Sequence, residues 1–204
     1  NFSIIIPVYN RPQEIDELLF GGAAGGGKSW VGCEWLLWSC VAFPGTNWFI
    51  GRKVLKTIKK STLKTFHKVA KKHGFKVGRD YKVNEQNSFI RFNNGKNGFV
   101  DGSNIDLLEL RYKPSDQDYE DLGSTEYTGG WIEEGGEVHQ SAYDVLVSRI
   151  GRHMNDEYGL LGKLLITCNP RRNWMYRLFY KPWKDGLLEA SKAFIQSLVT
   201  DNNK

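Results

Sequence analysis

Apolar residues along this chain fall into short runs separated by glycine-rich or polar stretches, and the runs alternate between strand-like and helix-like spacing. Leu18-Leu19-Phe20 is an apolar run of strand length, and Trp30 to Trp38, which follows a glycine cluster, can be helical. Asn47–Gly51 suits a buried strand. Tyr81–Val83 and Phe89–Phe92 read as strands, with Asn93-Asn94-Gly95 as a turn into a further strand at Gly98–Asp101. Ile105–Tyr112 is another expected strand, followed by the polar loop Lys113–Asp121. Ser141–Arg149 has helical spacing through Val145, Leu146 and Ile150, while Lys163–Thr167 and Ala193–Val199 are apolar strands. This alternation predicts an α/β fold: a mainly parallel sheet flanked by helices on both faces, with a β-hairpin insertion near residues 80–101.

Composition adds bounds. A chain of 204 residues, 40% hydrophobic and 13% aromatic, is long enough for one domain with a full core. No run approaches the ~18 apolar residues of a membrane span, and no signal peptide is evident, so a cytoplasmic location without membrane partners is expected. Cys33, Cys40 and Cys168 have no C-x-x-C spacing and read as buried thiols. His67, His73, His139 and His153 make no metal pattern.

Charge is uneven although the net value is only +5. Every charged residue from Arg52 to Arg79 is Lys or Arg, so the rest of the chain is net acidic. At ~100° per residue, Lys56, Lys60, Lys64, Lys68 and Lys72 form one arc of a helix. Leu55, Ile58, Phe66, Val69 and Ala70 fall on the opposite arc. The basic face suits sequence-independent contact with the phosphates of double-stranded DNA; a solvated surface is the alternative.

The most specific chemistry lies at Gly22-Ala23-Ala24-Gly25-Gly26-Gly27-Lys28-Ser29, which fits G-x-x-x-x-G-K-[ST] in full. Glycines allow the backbone N–H groups of such a loop to point inward at a triphosphate, and the following helix brings its positive end to the same place. Lys28 would reach the β- and γ-phosphates of ATP, and Ser29 would offer its hydroxyl to Mg²⁺. About one hundred residues on, the β-compatible Trp131-Ile132 ends in Glu133-Glu134. There Glu133 would serve the metal and Glu134 the attacking water. Two solvated loop glutamates are the commoner fate of such a pair.

Several of these segments, in this order, resemble the ATPase half of the large terminase subunit, the motor that packs DNA into tailed-phage capsids. Phe20 to Ser29 is similar to that family's phosphate loop, and Trp131 to Glu137 to its acidic strand end. Leu164 to Pro170 resembles its strand and Thr-x-Asn-Pro coupling element, and Asn173 to Tyr180 the aromatic helix after it. Gly51-Arg52-Lys53 and Ser148 to Arg152 stand where the family has basic motifs. The resemblance implies a P-loop NTPase fold, Mg²⁺-dependent ATP hydrolysis, and coupling of the site to movement through Thr167 and Asn169. Capping of a helix near Arg172 is the other role open to those two residues. It also implies a portal, a small terminase subunit and a ring of copies as partners, in an infected or prophage-carrying bacterium. Arg149 and Arg152 are candidates for stabilising transition-state charge from the same or a neighbouring subunit; surface arginines paired with acids are the alternative. Two departures stand out: Ala23 and Ala24 where related loops often carry arginine, and Glu133 where aspartate is more usual.

Asn1 to Pro12 differs from the rest and resembles the opening strand and loop of GT-A glycosyltransferases. Residues 1–19 read as a grafted segment, a strand at Phe2–Val8 and a short helix from Gln13, ahead of an ATPase domain at 20–204 without the family's nuclease domain. The segment upstream of the phosphate loop supplies adenine contacts in the family, so the graft bears on base selectivity. The resulting expectation is the ATP-hydrolysing motor domain of a terminase-like enzyme with no nuclease activity. The alternatives are a nucleotide- or DNA-binding remnant without turnover and, on the first nineteen residues only, a glycosyltransferase.

Overall fold

The structure is a computed structural model, and it describes residues 16–22, 27–169 and 171–197. The expected strand at Phe2–Val8 and the helix from Gln13 lie outside those residues. In chain order, strand β1 (Glu17–Gly22) leads to helix α1 (Lys28–Ala42) and strand β2 (Asn47–Arg52). A continuous helical segment follows: α2 (Leu55–Thr57), a π-helical turn (Ile58–Thr62) and α3 (Leu63–Lys72). Strands β3 (Tyr81–Asn84), β4 (Phe89–Phe92), β5 (Asn104–Glu109) and β6 (Gly129–Ile132) precede helices α4 (Gln140–Val147) and α5 (Asn155–Tyr158). Strand β7 (Lys163–Cys168), a second π turn (Tyr176–Tyr180), α6 (Lys181–Lys184) and β8 (Lys192–Ser197) complete the described elements.

The eight strands form one sheet in the order β3-β4-β5-β2-β6-β7-β1-β8. From β5 to β8 all neighbours are parallel, and β3–β4 adds an antiparallel edge. The parallel sheet and the β3–β4 hairpin match the expected α/β architecture. The strand expected at Gly98–Asp101 does not form. Gly95 and Gly98 bond each other's backbones in a tight turn, and the Asp101 carboxylate accepts from the Asn97 amide at 2.8 Å. A short acidic side chain serving its own backbone in this way competes with strand pairing.

The boundary expected after Leu19 falls inside β1. Glu17, Leu18 and Leu19 pair with Leu164, Leu165 and Ile166 of β7 and with Lys192, Ala193 and Phe194 of β8. A strand bonded on both sides is part of the sheet, so these three residues belong to it.

Alternation along the strands divides the core between two faces. Leu18, Phe20, Trp48, Ile50 and Trp131 pack with α1 and α3, whereas Leu19, Phe49, Ile132, Leu164 and Ile166 pack with α4 and the Tyr176–Tyr180 turn. Helix α1 lies close on the sheet because Gly32 carries no side chain: a Cβ there would stand 2.5 Å from the Trp131 ring. Parallel strands all end on one side, so Gly22, Arg52, Glu133 and Asn169 come to the same edge, where an open α/β sheet binds its ligand.

Candidate functional site at the carboxyl edge of the sheet

β1 delivers Gly22 to this edge, residues 23–26 lie outside the described structure, and the chain is next seen at Gly27. Gly27 takes φ 72°, ψ 7° directly before α1, a left-handed conformation that suits glycine. Lys28, the first residue of α1, is buried, and its Nζ donates to the Gly22 carbonyl oxygen at 3.1 Å. The ammonium is thus held across the mouth of the loop, beside the amino terminus of a fifteen-residue helix. Of the loop residues expected to bind phosphate, Gly22, Gly27, Lys28 and Ser29 are seen at this mouth; Ala23, Ala24, Gly25 and Gly26 are the four not described.

Ser29 Oγ donates to Glu133 Oε1 at 2.7 Å. Glu133 follows β6 and is only 3% exposed. Its other oxygen accepts from Arg52 Nη1 at 3.3 Å and from the Thr62 hydroxyl. Buried carboxylate oxygens need hydrogen-bond partners, and here three donors from three elements supply them. Arg52 arrives from the end of β2, which pairs with β6 through Gly51 and Ile132. Thr62 arrives from the π turn, where one extra residue per turn rotates it to the sheet side while Ile58 stays in the core. The negative charge of Glu133, after burial itself, also pushes the nearby Cys33 thiol well above the ordinary range, so Cys33 stays protonated.

Glu134 turns the other way. Its backbone is left-handed, φ 53° and ψ 47°, which costs a non-glycine residue about 1–2 kcal/mol. The turn separates the adjacent carboxylates, and Asn169 Nδ2 donates to Glu134 Oε2 at 3.4 Å. Cys168, next to Asn169, is raised to about 11, mainly by burial, then by the charge of Glu134, with Lys28 pulling in the opposite direction. Lys28 and Glu134 therefore both lie within electrostatic reach of the end of β7.

The two residues expected to couple the site to movement have separate places. Asn169 meets Glu134, but Thr167 is buried with its hydroxyl accepting from Trp131 Nε1 at 3.0 Å. Side chains two residues apart share a strand face, but β7 ends at Cys168 and Asn169 is free to turn. Capping near Arg172 falls to Asn173, whose Oδ1 accepts from the Met175 amide at 3.1 Å.

Arg149 and Arg152 stand at the opposite edge, which corrects the expectation of contact with their own subunit's γ-phosphate. The Arg149 carbonyl accepts from the Tyr127 amide, and the Arg152 amide donates to the Tyr127 carbonyl. Tyr127 precedes β6 and Glu133 follows it, a separation of about 20 Å at ~3.3 Å per residue. Arg149 Nε is buried with no hydrogen-bond partner among the described residues, and Arg152 is exposed.

Lys56, Lys60, Lys64, Lys68 and Lys72 are all exposed on the helical segment, as its amphipathic pattern requires. The π turn interrupts the spacing without burying any of them. Lys72 Nζ lies 5.1 Å from the Trp30 ring centroid, one residue beyond Ser29. Arg52 and Thr62 are the site residues that sequence reasoning did not place on Glu133. Arg52 was detectable, since it ends the strand beside the acidic one; Thr62 depends on a π turn that nothing in the residue order marks.

A family model described as phage terminase large subunit matches residues 14–204. No curated protein matches the chain. Among solved structures, the large terminase of a thermophilic bacteriophage in complex with ADP superposes with a TM-score of 0.69 at 14% identity, covering 96% of this chain and 42% of that one. The same terminase in complex with ATP-gamma-S gives 0.68, again at 14% identity, with 96% and 42% covered. The large terminase ATPase domain of Thermus phage P74-26 gives 0.60 at 12% identity, covering 91% of this chain and 76% of that domain. At such identities the likeness shows a shared fold. The chain spans about two fifths of the thermophilic-phage terminase.

Proposed function

The chain belongs to the phage terminase large subunit family, and from that premise we propose that it is the ATP-hydrolysing motor domain that drives DNA translocation. One observation carries this reading: the carboxyl edge of the sheet gathers a buried lysine at the loop mouth, a serine bonded to one carboxylate, and a second carboxylate turned away and held by an amide. Solved relatives hold ADP and ATP-gamma-S, and the same ligand class fits this edge.

Lys28 and the amides at the start of α1 neutralise phosphate charge, which is preorganised electrostatic stabilisation. The Ser29 hydroxyl and the Glu133 carboxylate, 2.7 Å apart, are hard oxygen donors of the kind Mg²⁺ selects, so these two residues would hold the ion. An ion held by these two residues would supply positive charge to offset that of the phosphates. Arg52 and Thr62 donate to the Glu133 carboxylate and fix it in place. Glu134 orients the attacking water and accepts its proton, and Asn169 sets the direction of that carboxylate.

The five exposed lysines provide a sequence-independent surface for duplex DNA. Arg149 and Arg152, at the edge remote from their own site, suit a role in a neighbouring copy's site within a ring. A portal and a small terminase subunit are the further partners of this reading.

The test is phosphate release from ATP by this chain, by Lys28→Ala and by Glu134→Gln, with and without Mg²⁺ and duplex DNA. Release that needs Mg²⁺ and disappears in both variants supports a working ATPase. ATP binding without release, unchanged by Glu134→Gln, replaces that reading with a nucleotide-binding module.

A further inference from the structure

The helical segment from Leu55 to Lys72 carries the basic face on one side and a bond to the Glu133 carboxylate on the other. Ile58 and Thr62 are the buried residues of its π turn. Thr62 donates its hydroxyl to Glu133 Oε2, and its carbonyl oxygen accepts from Cys33 Sγ of α1 at 3.9 Å. Arg52 Nη1 bridges the same carboxylate oxygen, at 3.3 Å, and the hydroxyl of Ser61, at 3.4 Å. Lys60 and Lys64 stand two residues to either side of Thr62, about half a turn round the helix, and both are exposed. A single helical turn therefore separates the lysine face from the carboxylate that meets Ser29.

Both ends of the segment are fixed. The Leu55 amide donates to Glu109 Oε1 at 3.2 Å, and Phe66, Val69 and Ala70 of α3 are fully buried. Since α3 cannot turn without drawing Phe66 out of the core, the π turn is the part of the segment able to yield. The lysine face loads it. Lys56, Lys60, Lys64, Lys68 and Lys72 repeat at i,i+4 with no acid between Arg52 and Arg79, and like charges at that spacing destabilise a helix. A polyanion on this face removes the repulsion and favours the ordered turn in which Thr62 meets Glu133.

We infer that Thr62 is a positioning residue linking the basic face to the nucleotide site: duplex DNA on Lys60 and Lys64 steadies the π turn, and the π turn holds Glu133 toward Ser29. That linkage rests on the nucleotide and DNA readings proposed above and adds the route between them. The route is a contiguous set of bonds, from the turn to Glu133 and from Glu133 to Ser29. It is separate from Asn169, which meets the other carboxylate. Linkage is reciprocal, so nucleotide tightens duplex binding by the same factor by which duplex tightens nucleotide binding.

The experiment is fluorescence anisotropy of a labelled mixed-sequence duplex titrated with the 204-residue chain, with and without Mg²⁺ and ATP-gamma-S. Calorimetric titration of ATP-gamma-S and Mg²⁺, with and without the duplex, gives the reciprocal factor. Thr62→Val, Thr62→Ser and the double variant Lys60→Gln/Lys64→Gln are compared with the wild type, and circular dichroism establishes that each is folded. In the wild type each ligand should tighten the other by about fivefold or more. The factor should vanish in Thr62→Val and return in Thr62→Ser, whereas a merely structural Thr62 would lower affinities and leave the factor in place. Lys60→Gln/Lys64→Gln should bind duplex more weakly and, with the repulsion relieved, bind ATP-gamma-S more tightly than the wild type does without duplex. A factor that survives in Thr62→Val overturns the linkage. So does a wild type that binds both ligands with no factor between them, and the nucleotide and DNA readings then stand. If Thr62→Val is unfolded or binds no nucleotide, the lysine variant decides: affinity for ATP-gamma-S no higher than that of the wild type overturns the linkage. Failure of the wild type to bind ATP-gamma-S or the duplex removes the corresponding reading and the linkage with it.

Discussion

Ser29 Oγ and Glu133 Oε1 lie 2.7 Å apart although 104 positions separate them in the chain. The bond joins the first turn of α1 to the end of β6, so the phosphate loop and the acidic strand end form one site. Removing the carboxylate in Glu133→Ala would leave Arg52 and Thr62 facing an empty buried volume. We expect a loss of about 3 kcal/mol or more in urea unfolding, together with loss of phosphate release. Unchanged stability would mean that Glu133 is solvated and the cluster is not formed.

Thr62→Val should remove one hydrogen bond to a buried charged group while keeping the shape of the side chain. The expected cost is about 1.5–3 kcal/mol, with Thr62→Ser recovering most of it. Urea midpoints for the three proteins check this. Equal midpoints for the valine and serine variants would show that the hydroxyl is not the donor.

Glu134→Gln keeps the side chain's size and removes its basicity. Phosphate release should fall by about 10²–10⁴-fold while ATP still binds. The measurement is single-turnover release beside equilibrium binding; a loss of binding equal to the loss of rate would place Glu134 in nucleotide affinity rather than in activation of water.

Gly32→Ala would place a methyl group 2.5 Å from the Trp131 ring, in a part of the core with no slack. Overpacking of this kind costs about 1–3 kcal/mol. At about 2–4 °C per kcal/mol for a chain of this size, Tm should drop by several degrees. An unchanged Tm would mean that α1 sits further from β6 than described.

Glu17 gives a pH-dependent signature. Burial, its largest influence, raises the carboxyl above the ordinary range, against the Tyr143 hydroxyl that donates to it. Over the interval between the unfolded and folded values, the folded chain retains a proton that the unfolded chain has released. Stability contributed by this group is therefore complete below the unfolded value and is lost as pH rises through the folded one. Glu17→Gln does not titrate, so its stability relative to wild type should increase with pH from about 4.5 upward and then level off. Urea unfolding at a series of pH values checks the sign; a difference independent of pH would show that the pair carries no shifted proton.

Much of the frame was legible in the residue order because its causes are local. Hydrophobic period, glycine clusters and charge runs depend on residues within a few positions of one another, and these marked β2, α1, the basic helix, the β3–β4 hairpin and β7. The phosphate-loop motif is legible for the same reason, being a set of consecutive backbone preferences with one lysine and one hydroxyl. Even the two glutamates could be recognised as a strand end.

Partnership and distance were decided by the tertiary structure. Which donors close on Glu133 depends on β2 lying beside β6 and on a π turn rotating Thr62. Arg149 and Arg152 resembled site residues by order, yet α4 carries the chain back from the carboxyl edge of the sheet, so they come to the far side. Thr167 and Asn169 are neighbours in sequence, but one is bonded to Trp131 in the core and the other reaches Glu134. β1 includes Glu17 to Leu19 because β7 and β8, contributed by residues 163–168 and 192–197, both pair with those three residues. Sequence by itself determined the chemistry each segment can offer, since that is written in side chains and local dihedrals. Only the fold decided which offers meet, because contact between residues a hundred positions apart is settled by strand order, strand direction and the packing of helices on the sheet.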